Sequence, residues 1–228
     1  MTYIVKNYLM KRVYILLFCF LIGGCRFSLA QTYQIRIYTD MGKITVMLYD
    51  GTPLHRDNMI KLVKQHYYDS LLFHRVIDSF VVQGGDPNSK HALDTALLGD
   101  GDLGYTIPAE ILPEKYYHKY GAFGQARDDN PQKASSACQF YIVEGKIAND
   151  STFIKAKKRT GYGIPEEHKK VYRTIGGIPH LDSNYTVYGE VIKGMKVVNK
   201  ISQVKTDENN RPVKNVRIKT IKIVKGPE

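Results

Sequence analysis

Strand-like segments dominate this chain of 228 residues from residue 33 onward, and they constrain its fold more than any other feature. The segments are short and rich in β-branched and aromatic residues, as is typical of β-strands. Eight strands are predicted, at residues 33–39, 44–49, 73–77, 80–83, 120–127, 139–143, 186–192 and 216–224. Because no regular alternation of strand and helix accompanies them, the pattern indicates a barrel or a sandwich rather than a parallel βαβ sheet.

Two helices are predicted beside these strands. Thr52 is an N-cap candidate with proline at the following position, and apolar residues between Met59 and Val63 recur at helical spacing, so a helix should run to about Gln65. A second helix is predicted around Met195–Ile201. The length of the chain then favours a mainly β fold, a closed eight-stranded antiparallel barrel capped by two α-helices.

Residues 144–178 do not fit this rhythm of strands. The segment is long and basic, with two helix-like stretches on either side of a break at residues 161–165. A long segment of this kind is usually a surface insertion that changes what the protein binds. Its densest basic run, residues 155–159, is interpreted as a solvated helix face, with attraction to anionic lipid headgroups as the alternative.

The N-terminus has the pattern of an export signal, in which basic residues precede a short apolar run. Residues 1–24 are predicted to be a signal peptide, with a lipobox that ends at Cys25, the residue that would be lipidated. Cleavage after Ala30 is the alternative. A short tether, residues 25–32, would join a membrane anchor to one domain at residues 33–226. We therefore expect a periplasmic, membrane-anchored lipoprotein, or else a soluble periplasmic or secreted protein.

Charge and cysteine content limit the partners and the chemistry. Removal of residues 1–24 takes away three basic and no acidic residues, so the net charge falls from +11 to +8. The lysines are spread along the chain and the N-terminal pattern predicts export, so no nucleic-acid partner is expected. Cys138 is the single cysteine left within residues 33–226, and we interpret it as a small buried thiol rather than a nucleophile.

Sequence patterns typical of nucleotide, calcium, zinc and nucleophile sites are incomplete in this chain. Residues 99–104 match a dinucleotide-binding glycine pattern, but no helix can begin directly after them, and Gly104 interrupts a calcium-loop pattern. We interpret them as a glycine-rich surface turn. The seven histidines lack zinc-site spacing and no nucleophile elbow is present. No metal and no cofactor are therefore predicted.

The most unusual residue is Arg75, which lies on an apolar strand. A charged guanidinium there is costly unless it has a function, although a carboxylate could hold it in a purely structural role. Two glutamines and several aromatic residues on other strands are its candidate partners. None of these groups is a nucleophile or a good base near pH 7, so they indicate a groove that binds and twists a substrate.

Three segments resemble the signature motifs of cyclophilin-type peptidyl-prolyl cis-trans isomerases. They are residues 73–86, 136–142 and 181–191, and they occur in the family's order. The resemblance covers about Tyr33 to Val224, interrupted by residues 144–178. It implies a closed eight-stranded barrel with two helices, which acts as a monomer on proline-containing segments of unfolded or exported proteins.

The resemblance also implies roles for eleven residues. Arg75 is the predicted catalytic arginine, and Gln83 and Gln139 would hold the peptide backbone beside it. The remaining predicted substrate contacts are Phe80, Val81, Ala126, Arg127, Tyr141, His180, Leu181 and Tyr185.

Three of these positions depart from common family members. His180 stands where eukaryotic members carry tryptophan, which argues against cyclosporin binding. Tyr185 replaces a histidine, as in bacterial members, and Arg127 replaces a common asparagine.

Three functions therefore stay open from the sequence. The leading one is isomerisation of X-Pro bonds to assist the folding of exported proteins. The first alternative is a non-catalytic module that binds proline-containing segments or a protein partner. The second is a barrel that carries a small apolar ligand, which requires an open barrel interior.

Overall fold

The computed structural model describes residues 32–226. The strands in this range are β1 (Gln34–Thr39), β2 (Gly42–Leu48), β3 (Arg75–Ile77), β4 (Val81–Gly84), β5 (Thr106–Ile107), β6 (Ala122–Gln125), β7 (Ser135–Ser136), β8 (Phe140–Val143), β9 (Val187–Lys193) and β10 (Ile218–Lys225). The α-helices are α1 (Pro53–Lys64), α2 (Asp150–Thr160), α3 (Glu166–Thr174) and α4 (Met195–Ser202). All eight predicted strands are present, as are the two predicted helices outside the insertion.

Eight strands form one antiparallel sheet in the order β10-β1-β2-β9-β6-β8-β4-β3, and β5 pairs with β7 separately. The two edges approach each other before β3 and β10, where Leu72 bridges Arg217 and the Phe73 amide donates to the Val216 carbonyl at 3.0 Å. The short strand β3 does not continue this pairing, because the Val76 amide donates to Asn210 instead. The sheet is therefore a curled half-barrel, and no continuous ladder closes it into the predicted barrel.

The main core lies between one face of the sheet and the helices α1 and α4. Successive strand residues point to opposite faces, so in β1 only every second residue, such as Ile35 and Ile37, is fully buried there. Helix α1 contributes Met59 and Leu62, and α4 contributes Val198. Packed side chains fill this core, which argues against the alternative of a ligand carrier.

Strands β4 and β8 are buried on both faces. Val82, Phe140 and Ile142 point into the main core. The alternate residues of the same strands belong to a second apolar cluster, whose buried members are Val81, Ala122, Tyr141, Val143, Ile178, Leu181 and Val187. Burial on both sides explains the uninterrupted apolar run of β8, and the second cluster forms the floor of a surface pocket.

The insertion is a folded unit, and its two helices, α2 and α3, flank the predicted break. Asn149 and Thr152 form a reciprocal capping box at the start of α2, and Gly161 ends it in the left-handed conformation. The two helices share a small core of Phe153, Ala156, Ile164 and Tyr172. Helix α2 also packs against a short 3₁₀ helix, Pro179–Leu181, and this contact places the insertion beside the pocket.

The predicted signal peptide, Cys25 and the alternative cleavage site after Ala30 lie outside the described residues. Within residues 32–226, none of the helices has the length and apolar character required to cross a membrane.

The first turn of α1 is capped from a distant part of the chain. Thr52 is the N-cap residue and Pro53 follows it, as predicted, but the Thr52 hydroxyl donates to the Tyr49 carbonyl and does not cap the helix. Glu110 caps it instead, since its carboxylate accepts from the amides of Leu54 and His55, both at 3.0 Å. The same carboxylate contacts the His55 ring at 2.7 Å.

We expect Glu110→Ala to lower the free energy of unfolding by about 2 kcal/mol, because it removes a helix cap and the partner of a buried imidazole. Urea denaturation measures this change. The matched control is Glu208→Ala, on an exposed residue, which should shift stability by about 0.5 kcal/mol or less. Equal stability of the two variants would show that Glu110 is not a cap.

Candidate active site

A pocket of about 390 Å³ lies over the second apolar cluster. It brings together ten of the eleven predicted site residues, namely Arg75, Phe80, Val81, Gln83, Ala126, Arg127, Tyr141, His180, Leu181 and Tyr185. The eleventh, Gln139, lines an adjoining pocket of about 450 Å³, which Gln83 also lines. The predicted residues thus share one groove, while their roles stay predictions.

Arg75 is held at the edge of this groove by an amide. It pairs with Gln83 across β3 and β4, and its Nη1 donates to Gln83 Oε1 at 3.1 Å. Its guanidinium carbon lies 5.9 Å from the centre of the Phe80 ring. Among residues 32–226 it forms no ion pair with a carboxylate, so the structural role proposed as the alternative has no support here.

The partly buried Arg75 keeps its charge. Burial lowers the pKa of its guanidinium, and Tyr185 raises it. An arginine pKa nevertheless stays far above neutrality, so the group is a permanent cation at physiological pH. Its four remaining N–H donors have no partner among the described residues and are available to a substrate.

A chain of amides fixes the orientation of Gln83. Gln139 Nε2 donates to the carbonyls of Gly99 and Gly101, at 2.6 and 2.9 Å. Because carbonyls only accept, the Gln139 oxygen must face Gln83, which donates to it at 3.0 Å. The Gln83 oxygen is then left for Arg75. The direction of every bond in this chain follows from the two glycine carbonyls at its end.

The loop at residues 99–104 is more than the surface turn that we predicted. Gly101 is buried, and a side chain there would collide with the Asp86 carboxylate. Asp86 follows strand β4 and accepts from the Gly99 amide, which fixes the loop against the sheet. Strand β5 follows the loop instead of a helix, in agreement with the rejection of a nucleotide site.

The walls of the pocket are aromatic and mostly uncharged. The rings of Phe80 and His180 are parallel, with centres 6.0 Å apart. Burial lowers the pKa of His180, and the charge of Arg159 lowers it further, so the neutral imidazole is favoured. Arg127 lies over the Tyr185 ring at 4.8 Å and donates to the Asn184 carbonyl at 2.9 Å. The resulting slot suits a flat apolar ring.

Below the floor, a buried polar chain links the pocket to the insertion. The Tyr141 hydroxyl lies 2.9 Å from His118 Nε2, and His118 Nδ1 lies 2.8 Å from Asp182 Oδ1. The Tyr172 hydroxyl of α3 donates to the other oxygen of Asp182 at 2.8 Å. Since a carboxylate only accepts, His118 donates to Asp182 through Nδ1, and its Nε2 bonds the Tyr141 hydroxyl.

Sequence reasoning missed several residues of the groove. Four residues that line the 390 Å³ pocket were not predicted, namely His74, Gly99, Asp100 and Arg159. His74 precedes Arg75, and its burial lowers the pKa of its ring to about 4, so it is neutral at pH 7. Nothing in the sequence pattern indicated Arg159, because its position depends on how the insertion packs.

Outside the groove, two other kinds of site, a metal site and a cysteine nucleophile, lack support in the described residues. Residues 32–226 contain no group of three or more His, Cys, Asp or Glu side chains that could hold a metal ion. Cys138 is fully buried, as predicted, and burial raises the pKa of its thiol, which disfavours the thiolate that nucleophilic attack requires.

Comparisons with known proteins agree with this geometry. The family described as cyclophilin type peptidyl-prolyl cis-trans isomerase/CLD matches residues 34–223. A putative peptidyl-prolyl cis-trans isomerase of Staphylococcus haemolyticus is 31% identical over 191 residues, which cover 83% of this chain and 90% of that protein. Isomerase CYP18-2 of Arabidopsis thaliana is 28% identical, with coverage of 84% and 93%.

A solved structure shows the same fold. The cyclophilin type peptidyl-prolyl cis-trans isomerase of Cryptosporidium parvum superposes with a TM-score of 0.64 at 24% identity, and the match covers 86% of this chain and 99% of that one. Fold and site together define a cyclophilin-like protein. The chain belongs to the cyclophilin-type peptidyl-prolyl cis-trans isomerase family.

We expect Asp182→Ala to lower the free energy of unfolding by about 3 kcal/mol, because it leaves buried donors of His118 and Tyr172 without a partner. Tyr172→Phe removes only one hydroxyl and should cost about 1 kcal/mol. Urea denaturation of both variants tests this order. Equal effects of the two substitutions would contradict the central position of Asp182 in the buried chain.

Proposed function

We propose that this protein catalyses cis-trans isomerisation of X-Pro peptide bonds. The observation that carries the proposal is the placement of Arg75, a permanent cation at the edge of an aromatic slot, with one donor bound to Gln83 and the others directed to no described residue. The groove presents no activated nucleophile. Rotation about a bond requires none.

The chemistry needs one well-placed donor. Resonance in the peptide bond makes rotation cost about 18 to 20 kcal/mol. In the twisted state the prolyl nitrogen becomes pyramidal and its lone pair is free to accept a hydrogen bond. A guanidinium that donates to this nitrogen stabilises the twisted state more than either planar isomer, which is the condition for catalysis.

The rest of the groove would hold the substrate while the bond rotates. The proline ring would occupy the slot formed by Phe80, Val81, Tyr141 and Leu181, and the two glutamines would bind the peptide backbone. The related isomerase of Cryptosporidium parvum was crystallised in the presence of the dipeptide Ala-Pro, which supports a proline-containing ligand for this fold. Segments of unfolded or exported proteins are the substrates that we propose.

Replacement of Arg75 by lysine is the sharpest test of this role. Lysine keeps the charge but lacks the planar fork that bonds Gln83 and the substrate together, so kcat/KM for an X-Pro peptide should fall by about 100-fold. A protease-coupled assay or exchange NMR measures the rate. The matched control is Arg36→Lys on strand β1, outside the pocket, which should retain full activity.

Other outcomes would count against the proposal. Unchanged activity of Arg75→Lys would show that the planar guanidinium is not required, and unchanged activity of Arg75→Ala would remove the cation from the mechanism. Binding of X-Pro peptides by the unmodified protein with negligible acceleration would instead indicate the alternative, a non-catalytic binding module.

We also propose that the protein is exported and anchored through lipid on Cys25, based on the apolar run and lipobox of its N-terminus. Mass spectrometry of the mature protein from its native host tests this. An N-terminal Cys25 with a diacylglycerol mass is expected. A mature chain that begins at Gln31 would instead establish cleavage after Ala30 and a protein without the anchor.

A further inference from the structure

Arg159 reaches the groove from the insertion. It lies in the last turn of α2 and lines both the 390 Å³ pocket and a smaller adjoining pocket of about 290 Å³. The two pockets share Arg127, Arg159, His180, Leu181 and Tyr185. A peptide that places its proline in the slot can therefore extend a neighbouring side chain towards Arg159.

The side chain of Arg159 is available for binding. It is exposed, and within residues 32–226 it has neither a carboxylate partner nor a side-chain hydrogen bond. Arg173 of the neighbouring helix α3 differs in this respect, because it pairs with Asp150. The charge of Arg159 nevertheless acts on the groove, since it contributes to the lowered pKa of His180.

The smaller pocket is positively charged. Arg127 and Arg159 both line it, whereas its single acidic residue is Asp129. The Asp129 side chain is fully exposed and lies 3.6 Å from Arg127, so it is a weak counter-charge. The 450 Å³ pocket on the Gln83 side is lined by three aspartates, Asp100, Asp102 and Asp128, against one cation, Arg127. The groove is therefore electrostatically polarised, with its positive part at the insertion.

The fold fixes the backbone of Arg159 beside the groove. Ala156, one turn earlier, is buried in the small core that α2 shares with α3, and Gly161 ends the helix just after Arg159. Arg127 is also fixed, because it stacks on Tyr185 and donates to two backbone carbonyls. Two guanidinium groups, one from α2 and one from the loop after β6, therefore line the smaller pocket.

We propose that Arg159 and Arg127 form a subsite for a carboxylate side chain next to the substrate proline, so that the insertion selects acidic X-Pro segments. A guanidinium matches a carboxylate in shape and charge and can donate two parallel hydrogen bonds to it. This inference rests on the proposed function, since it concerns which substrates the isomerase prefers.

Paired peptides test the subsite. Four X-Pro peptides carry Glu or Gln, either directly before or directly after the proline, and kcat/KM is measured for each. We expect about a threefold preference for Glu over Gln at one position, the size of a solvent-exposed ion pair, and loss of this preference at high salt. Arg159→Ala should abolish the preference for Glu over Gln.

The matched control is Lys157→Ala, which removes the same charge from an exposed residue of α2 outside the pocket lining. The Lys157→Ala variant should retain the preference for Glu over Gln peptides. Equal rates for Glu and Gln peptides at both positions, or equal effects of the two substitutions, would overturn the subsite.

A binding measurement separates this inference from the proposed function. If the protein accelerates no peptide, the isomerase proposal fails, and calorimetric dissociation constants for the same four peptides then decide the subsite. Tighter binding of a Glu peptide that depends on Arg159 would support it. Equal dissociation constants for Glu and Gln peptides would overturn it.

Discussion

The hydrogen bond between Arg75 and Gln83 is the interaction on which the groove depends. It joins neighbouring strands, and it aims a permanent cation along the wall of an apolar slot rather than towards a carboxylate. A carboxylate partner would have neutralised the charge and occupied the N–H donors that a substrate needs. A neutral amide partner orients the guanidinium while most of its donors remain free, and the chain of amides through Gln139 holds that partner in one orientation.

The sheet provides the rigid base for this arrangement. Strands β4 and β8 are buried on both faces, so the residues beneath the slot cannot move without disturbance of the main core. The polar chain from Tyr141 through His118 to Asp182 is buried as well, and it ends on Tyr172 of the insertion. The insertion is thereby coupled to the floor of the slot, while its helix α2 contributes Arg159 to the rim.

Much of the fold could be predicted because its signals are local. Runs of β-branched and aromatic residues, alternating with polar residues in the first hairpin, predicted the eight strands, and the break at residues 161–165 predicted the two helices of the insertion. Seven of the ten pocket residues lie within the three short motifs, and Ala126, Arg127 and His180 lie next to or between them. Closure of the barrel stays a prediction, because the structure shows a curled half-barrel whose edges meet at residues 70–73 and 216–218, while the Val76 amide of β3 bonds to a loop.

Other features depend on contacts between distant segments. Glu110 caps a helix that begins 57 residues earlier, and Asp182 meets His118 across 64 residues, so no local pattern indicates either contact. The glycines at 99–101 match a nucleotide pattern but serve to bring two carbonyls to Gln139. Arg159 belongs to a basic run that resembles any solvated helix face, and only the packing of α2 brings it to the groove.

The central claim is that catalysis comes from a fixed cation and not from proton transfer. The most direct test is the pH profile of kcat/KM for an X-Pro peptide, with the solvent deuterium isotope effect. The account predicts a constant rate from about pH 7 to pH 9 and an isotope effect near one, because Arg75 stays charged and the buried His74 and His180 stay neutral over that range. A bell-shaped profile with a large isotope effect would contradict it, since that result requires a general acid or base.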